Sequence, residues 1–78
     1  MAVRTTLDRV EKDREARVIE IRGGWGIRQC LLQLGIHVGD NLRVKRSAIF
    51  KGPILVQVHG TDVALGRGMA RHVDVEIP

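Results

Sequence analysis

A chain of 78 residues has room for one domain, and its 44% hydrophobic content allows a single core. That core must be aliphatic, because Trp25 and Phe50 are the only aromatic residues. The one cysteine, Cys30, excludes an internal disulfide and points to a reducing, cytoplasmic compartment. No run approaches the roughly 18 apolar residues of a membrane span, and the first residues lack the apolar stretch of a signal peptide. The net charge of +4 comes from 13 basic and 9 acidic side chains, and its excess lies mid-chain. Between Gly23 and Gly60 stand Arg28, Arg43, Lys45, Arg46 and Lys51, against Asp40 alone.

In chain order, residues 1–15 read as an N-terminal arm that docks Leu7 and Val10 and then crosses solvent through Glu11–Glu15. The stretch from Ala16 to Arg22 is strand-like, with Ile19 and Ile21 on the core side of an outward Glu20. Gly23-Gly24 ends it. The next segment changes period. Ile27, Cys30, Leu31 and Leu34 fall at i, i+3, i+4 and i+7, one face of a helix running from about Trp25 to Leu34 and closed by Gly35. This stripe is expected to plug the end of a barrel, with Leu32 at its edge and Trp25 nearly free of local neighbours. Ile36, Leu55, Ile49 and Phe50 are further apolar residues that fit outside the main core. After a Gly39-Asp40-Asn41 turn, Leu42-Arg43-Val44-Lys45 alternates as a half-buried basic strand. Residues 47–53 form a loop. Ile54, Val56 and Val58 face inward on the next strand, which turns at Gly60-Thr61-Asp62 into Val63-Ala64-Leu65 as a hairpin. Gly66 to Arg71 makes one helical turn. Val73, Val75 and Ile77 close the chain as a strand, with Asp74 and Glu76 pointing out. About five short strands and one helix describe a mainly β fold, a small barrel or curled sheet.

Catalytic chemistry needs a nucleophile, a base or a metal cluster at workable spacing. His37, His59 and His72 are scattered, with no two at helical i, i+4 spacing, and Cys30 sits on the apolar stripe. Gly23-Gly24-Trp25-Gly26 matches neither the phosphate-loop nor the dinucleotide fingerprint, and reads as a turn with helix entry. The chain is therefore not expected to be an enzyme, and no cofactor or metal site is assigned. Binding to nucleic acid is not expected either. The two aromatics are isolated from the basic residues, and the helix offers only Arg28. Exposed apolar residues remain, and on a small protein these mark a docking patch.

The order of these signals resembles the FeoA family. A strand ends in Gly23-Gly24. A helix runs through Leu31-Leu32-Gln33-Leu34 into Gly35-Ile36-His37-Val38-Gly39-Asp40. A basic strand leads to Gly52-Pro53-Ile54-Leu55-Val56, then Gly60-Thr61-Asp62-Val63-Ala64-Leu65, then Met69-Ala70 and a Val-x-Val strand. The likeness covers about Thr6 to Ile77, within one domain of residues 1–78. The family commonly places glycine in the turn before the first of these strands, where this chain has Asp13-Arg14-Glu15. The resemblance implies an SH3-like barrel and a small cytosolic accessory of bacterial ferrous-iron uptake. It also implies a partner, the FeoB permease with its cytosolic GTP-binding domain. Joined to the residue reading, it makes Trp25, Arg28 and Leu32 the candidate partner interface, with Arg43 and Lys45 as a basic rim. A metal-responsive regulatory module built on His or Cys ligands is the alternative, followed by a basic nucleic-acid binding barrel. A barrel of this size can stand alone or form a homo-oligomer through exposed strand edges.

Overall fold

A computed structural model describes residues 2–46 and 52–78. Six strands make one antiparallel sheet in the order β1-β6-β2-β3-β4-β5. They are β1 (Val3–Thr6), β2 (Glu15–Ile21), β3 (Asn41–Arg46), β4 (Ile54–Val58), β5 (Thr61–Leu65) and β6 (Val73–Ile77). A 3-10 turn at Leu7–Arg9 follows β1, helix α1 (Trp25–Gln33) joins β2 to β3, and the single turn α2 (Arg67–Ala70) joins β5 to β6. The register slips once between Val18 and Glu20 in β2 and once between Val44 and Arg46 in β3. Such bulges bend a strand and raise its twist, and here they curl the sheet around one aliphatic core. The result is the expected mainly β curled sheet with a helix against it. Its end strands, β1 and β5, share no ladder among the described residues.

Alternation decides most of the core. Ile54, Val56 and Val58 are buried on β4, and Val63 and Leu65 on β5, as a period of two requires. On β2 the parity breaks at the bulge. Ala16 and Val18 are buried, Ile19 is only half-buried, and Ile21 is buried again. Ile19 is therefore not on the core side as its alternation suggests. The bulge adds one residue and shifts the face.

Four further expectations need correction. Residues 1–15 are more than an arm, because β1 pairs with β6 from Val3↔Ile77 to Thr6↔Asp74. The stretch Val-Arg-Thr-Thr shows no alternation because an edge strand with no fully buried residue needs none. Second, the helix stripe of four shrinks: Leu31 is fully buried and Ile27 packs on the core in part, but Cys30 is exposed and Leu34 is 37% exposed. A helix of nine residues lying on a curved sheet touches it over about one turn. Third, Ile36 is fully buried, not peripheral. Fourth, Asp74 does not point into water; it is 7% exposed on a central strand, whereas Glu76 is exposed. The loop reading for residues 47–53, and with it Ile49, Phe50 and Lys51, falls mostly outside the described residues.

The turn before β2 keeps its shape without glycine. Asp13 takes φ 70, its N–H donates to Val44 O at 2.7 Å, and its own carbonyl accepts from Arg43 Nη1 at 3.2 Å. Asp tolerates this left-handed backbone better than most residues.

Candidate docking surface

The surface begins where β2 ends. Gly23 takes φ +110, and a Cβ there would come within 3.0 Å of Ile27 Cδ1 and 3.2 Å of His72 Nδ1. Both the backbone angle and the close packing demand glycine, so the turn is held tightly between Ile27 of α1 and His72, the residue before β6. The helix N-terminus has no side-chain cap, and Arg28 Nε donates to the Gly23 carbonyl at 3.4 Å. At the far end the chain closes in a Schellman motif. Gly35 N–H donates to Leu32 O and Ile36 N–H to Leu31 O, both at 3.0 Å, with Gly35 at φ +86. This motif turns the chain back at Ile36, which joins Leu31 in the core cluster.

The connection to β3 then folds back on β2. Gly39 N–H donates to Val18 O at 2.7 Å, and Val18 N–H to Asp40 O at 2.8 Å. These bonds hold His37 and Val38 beside β2. The outcome is a groove of about 410 Å³ between β2 and α1. Ile19, Ile21, Leu32 and Val38 give it an apolar lining, and Glu20, Arg28 and His37 stand around it. Leu32 is 44% exposed and Val38 61%. Trp25, 77% exposed, lies seven residues before Leu32 and so within about 20° of it around the helix.

Of the candidate residues, Arg28 and Leu32 line this groove, and Trp25 stands on the same helix face. Arg43 is elsewhere. It lines a separate polar groove with Glu15, Asn41, Gln57 and His59, and its Nη2 donates to Glu15 Oε1 at 2.8 Å. Lys45 is half-buried on β3 and lines neither groove. Sequence reasoning missed Ile19, Ile21 and Val38 as lining residues. The bulge and the fold-back of the loop create that role, and only the exposed position of Val38 in a glycine-rich turn hinted at it.

Asp40 ties the loop to the β4–β5 hairpin. Its Oδ2 accepts from the His37 N–H at 2.7 Å and lies 3.3 Å from His37 Nδ1, while its Oδ1 lies 3.0 Å from His59 Nε2. Burial pushes the Asp40 carboxyl up, but the hydrogen bonds from His37 and His59 together outweigh it and hold the group below its ordinary value. Among the described residues no group of three or more His, Cys, Asp or Glu side chains is placed to hold a metal ion, and no helix is long and apolar enough to cross a membrane.

A family model described as the FeoA domain matches residues 5–77. The chain belongs to the FeoA family. A 62-residue stretch is 37% identical to a protein of Methanocaldococcus jannaschii named "Putative Fe(2+) transport protein A", over 80% of this chain and 73% of that one. The fold also matches the crystal structure of an iron uptake regulatory protein, FeoA, with a TM-score of 0.86 and 29% identity, over 96% of this chain and 99% of that one. A manganese-dependent transcriptional repressor contains the same fold, with a TM-score of 0.89 over all of this chain but 44% of its own. At 22% identity that likeness concerns the fold alone. FeoA proteins are small accessory domains, and the SH3-like architecture seen here is theirs.

Proposed function

We propose that this FeoA-family chain is an adaptor of ferrous-iron uptake that acts in the cytoplasm by contact with the GTP-binding cytosolic domain of a FeoB permease. It performs no catalysis of its own. The observation that carries this reading is the apolar face of α1. A small protein leaves Trp25 and Leu32 in water on one side of a short helix, next to a groove lined by Ile19, Ile21 and Val38. Stability does not require that exposure, whereas a partner surface does. Leu32 and the groove supply buried apolar area, Trp25 a large rigid anchor, and Arg28 a charge for an acidic residue on the partner. Arg43, already held by Glu15, and Lys45 lie outside this contact and add general attraction at most.

The test is calorimetric titration of the intact protein against the purified cytosolic FeoB domain, in both nucleotide states. Saturable binding is expected in at least one state. Leu32→Asp and Trp25→Ala should each weaken it tenfold or more, as anchor residues do, by about 1.4 kcal/mol or more. A flat titration in both states overturns the reading, as does binding that neither substitution changes.

A further inference from the structure

We propose that two copies of this chain pair antiparallel through their β5 edges, centred on Val63, so that the sheet runs on from one molecule into the next. The surface is separate from the β2–α1 groove, and the proposal does not depend on the adaptor reading.

The hairpin geometry decides which backbone groups β5 offers. His59 and Gly60 take φ 51 and 76, and Val58 pairs with Thr61 across them. Two positive φ angles in a two-residue loop make a type I′ turn, whose closing pair exchanges hydrogen bonds. Antiparallel pairs then alternate. Thr61, Val63 and Leu65 direct their N–H and C=O to β4. Asp62 and Ala64 direct theirs away from it, at the end of the sheet. Both residues are exposed, and their outward groups take no backbone partner among the described residues.

Sheet edges are ordinarily blunted by lysine, proline or a bulge. β5 has no lysine, proline or bulge; its one charge is Asp62, and its register with β4 runs unbroken from Ile54↔Leu65 to Val58↔Thr61. The opposite edge is different. β1 is four residues long, and its Arg4 reaches across to Glu20 and Asp74, each at 3.3 Å.

The β5 edge is also complementary to itself. Centred on Val63, a two-fold pairing sets Asp62 against Ala64 of the second copy and Ala64 against Asp62. All the outward groups meet, in four hydrogen bonds. Each Asp62 carboxylate then faces a methyl group. Centring on Asp62 would place two carboxylates directly opposite, which is repulsive. Centring on Ala64 would set Asp62 against Gly66, where the chain leaves the strand for α2. The contact is a single strand wide, well short of the about 800 Å² per partner of a standard interface. The dimer is accordingly weak and forms at high local concentration.

Sedimentation equilibrium of the intact protein from micromolar to millimolar concentration, at low salt, tests this, with amide exchange read at both ends of the range. A monomer–dimer equilibrium is expected. The amides of Asp62 and Ala64 should slow as concentration rises, and that of Val63, already bonded to β4, should not. Ala64→Asp places like charges at both symmetric pairs and should weaken association about two- to thirtyfold, whereas Ala64→Lys should strengthen it by a similar factor. Position 64 is exposed, and an unchanged thermal midpoint verifies that each variant is folded. A monomer throughout the range overturns the proposal. So does a dimer that ignores both substitutions, or one that both shift in the same direction. An edge that captures an extended segment of another chain, but not itself, counts against it equally.

Discussion

Asp74 is the buried charged side chain of the described sheet, and its surroundings predict how the protein responds to acid. Arg22 Nε donates to its Oδ1 at 2.9 Å and Arg4 Nη2 to its Oδ2 at 3.3 Å. Burial pushes the carboxyl up, but the two guanidiniums outweigh it, through hydrogen bonds and charge, and hold it below its ordinary value. Asp40 is held down as well. The unfolded chain therefore binds more protons than the native one just below the usual carboxylate range. Stability from these groups is complete above the unfolded pKa of about 3.9 and drains as pH falls through the lower native values. Asp74→Asn should cost about 1–3 kcal/mol at neutral pH, because both arginines lose their charged acceptor. Melting the wild type and the variant from neutral pH to about pH 2 checks it. The two curves should converge on acidification, and a constant gap would refute the linkage. The sequence placed Asp74 in water because Asp and Glu alternate with valine on β6. What it hid was the neighbour. With β1 alongside, Arg4 covers that face.

Among the elements, α1 shows most clearly what the sequence makes legible. Its period of 3.6, the glycines before it and the glycine after it define a helix from Trp25, and the structure agrees to within a residue. Gly35 was readable as a left-handed terminator because the apolar pattern stops at Leu34. A Cβ at Gly35 would meet nothing within 4 Å, so the cost of adding one is purely conformational. Gly35→Ala should destabilise by about 1–2 kcal/mol, and Gly35→Asn by less, since Asn visits this region more readily. Urea unfolding of the three proteins checks the order, and an Ala variant as stable as the wild type would mean that the loop re-forms with another cap. The burial of the helix was less legible than its ends. Spacing marks which residues share a face, but not how much of that face a curved sheet will cover. Cys30 and Leu34 satisfy the spacing and remain wet, while Ile36, two residues past the stripe, is buried where the Schellman turn brings the chain back. For the same reason the docking groove was only half visible. Leu32 and Arg28 follow from the helix, but Ile19 and Val38 depend on a bulge and a fold-back set by tertiary pairing.

In the molecule as a whole, the first strand lies against the last. Pairs such as Thr6↔Asp74 join the two ends of the chain, and Leu7 and Val10 fall in the same core cluster as Val73 and Val75. The opening residues thus form part of the domain, and their contribution can be measured. Leu7 is fully buried beside α2, where Ala70 is also fully buried. Leu7→Ala should cost about 2–5 kcal/mol, the range for a core leucine whose cavity collapses only in part. A domain of this length has roughly 4–12 kcal/mol in total, so the loss is a large fraction of the whole. Val3, 57% exposed on the edge strand, provides the contrast. Val3→Ala should stay within about 0.5 kcal/mol of wild type. Urea midpoints at constant slope measure both. If the core were complete without residues 1–15, the two substitutions would be equally mild and the slope unaffected. If they close the core, Leu7→Ala alone shifts the midpoint far down, and any fall in slope shows the first strand leaving the sheet before the rest unfolds.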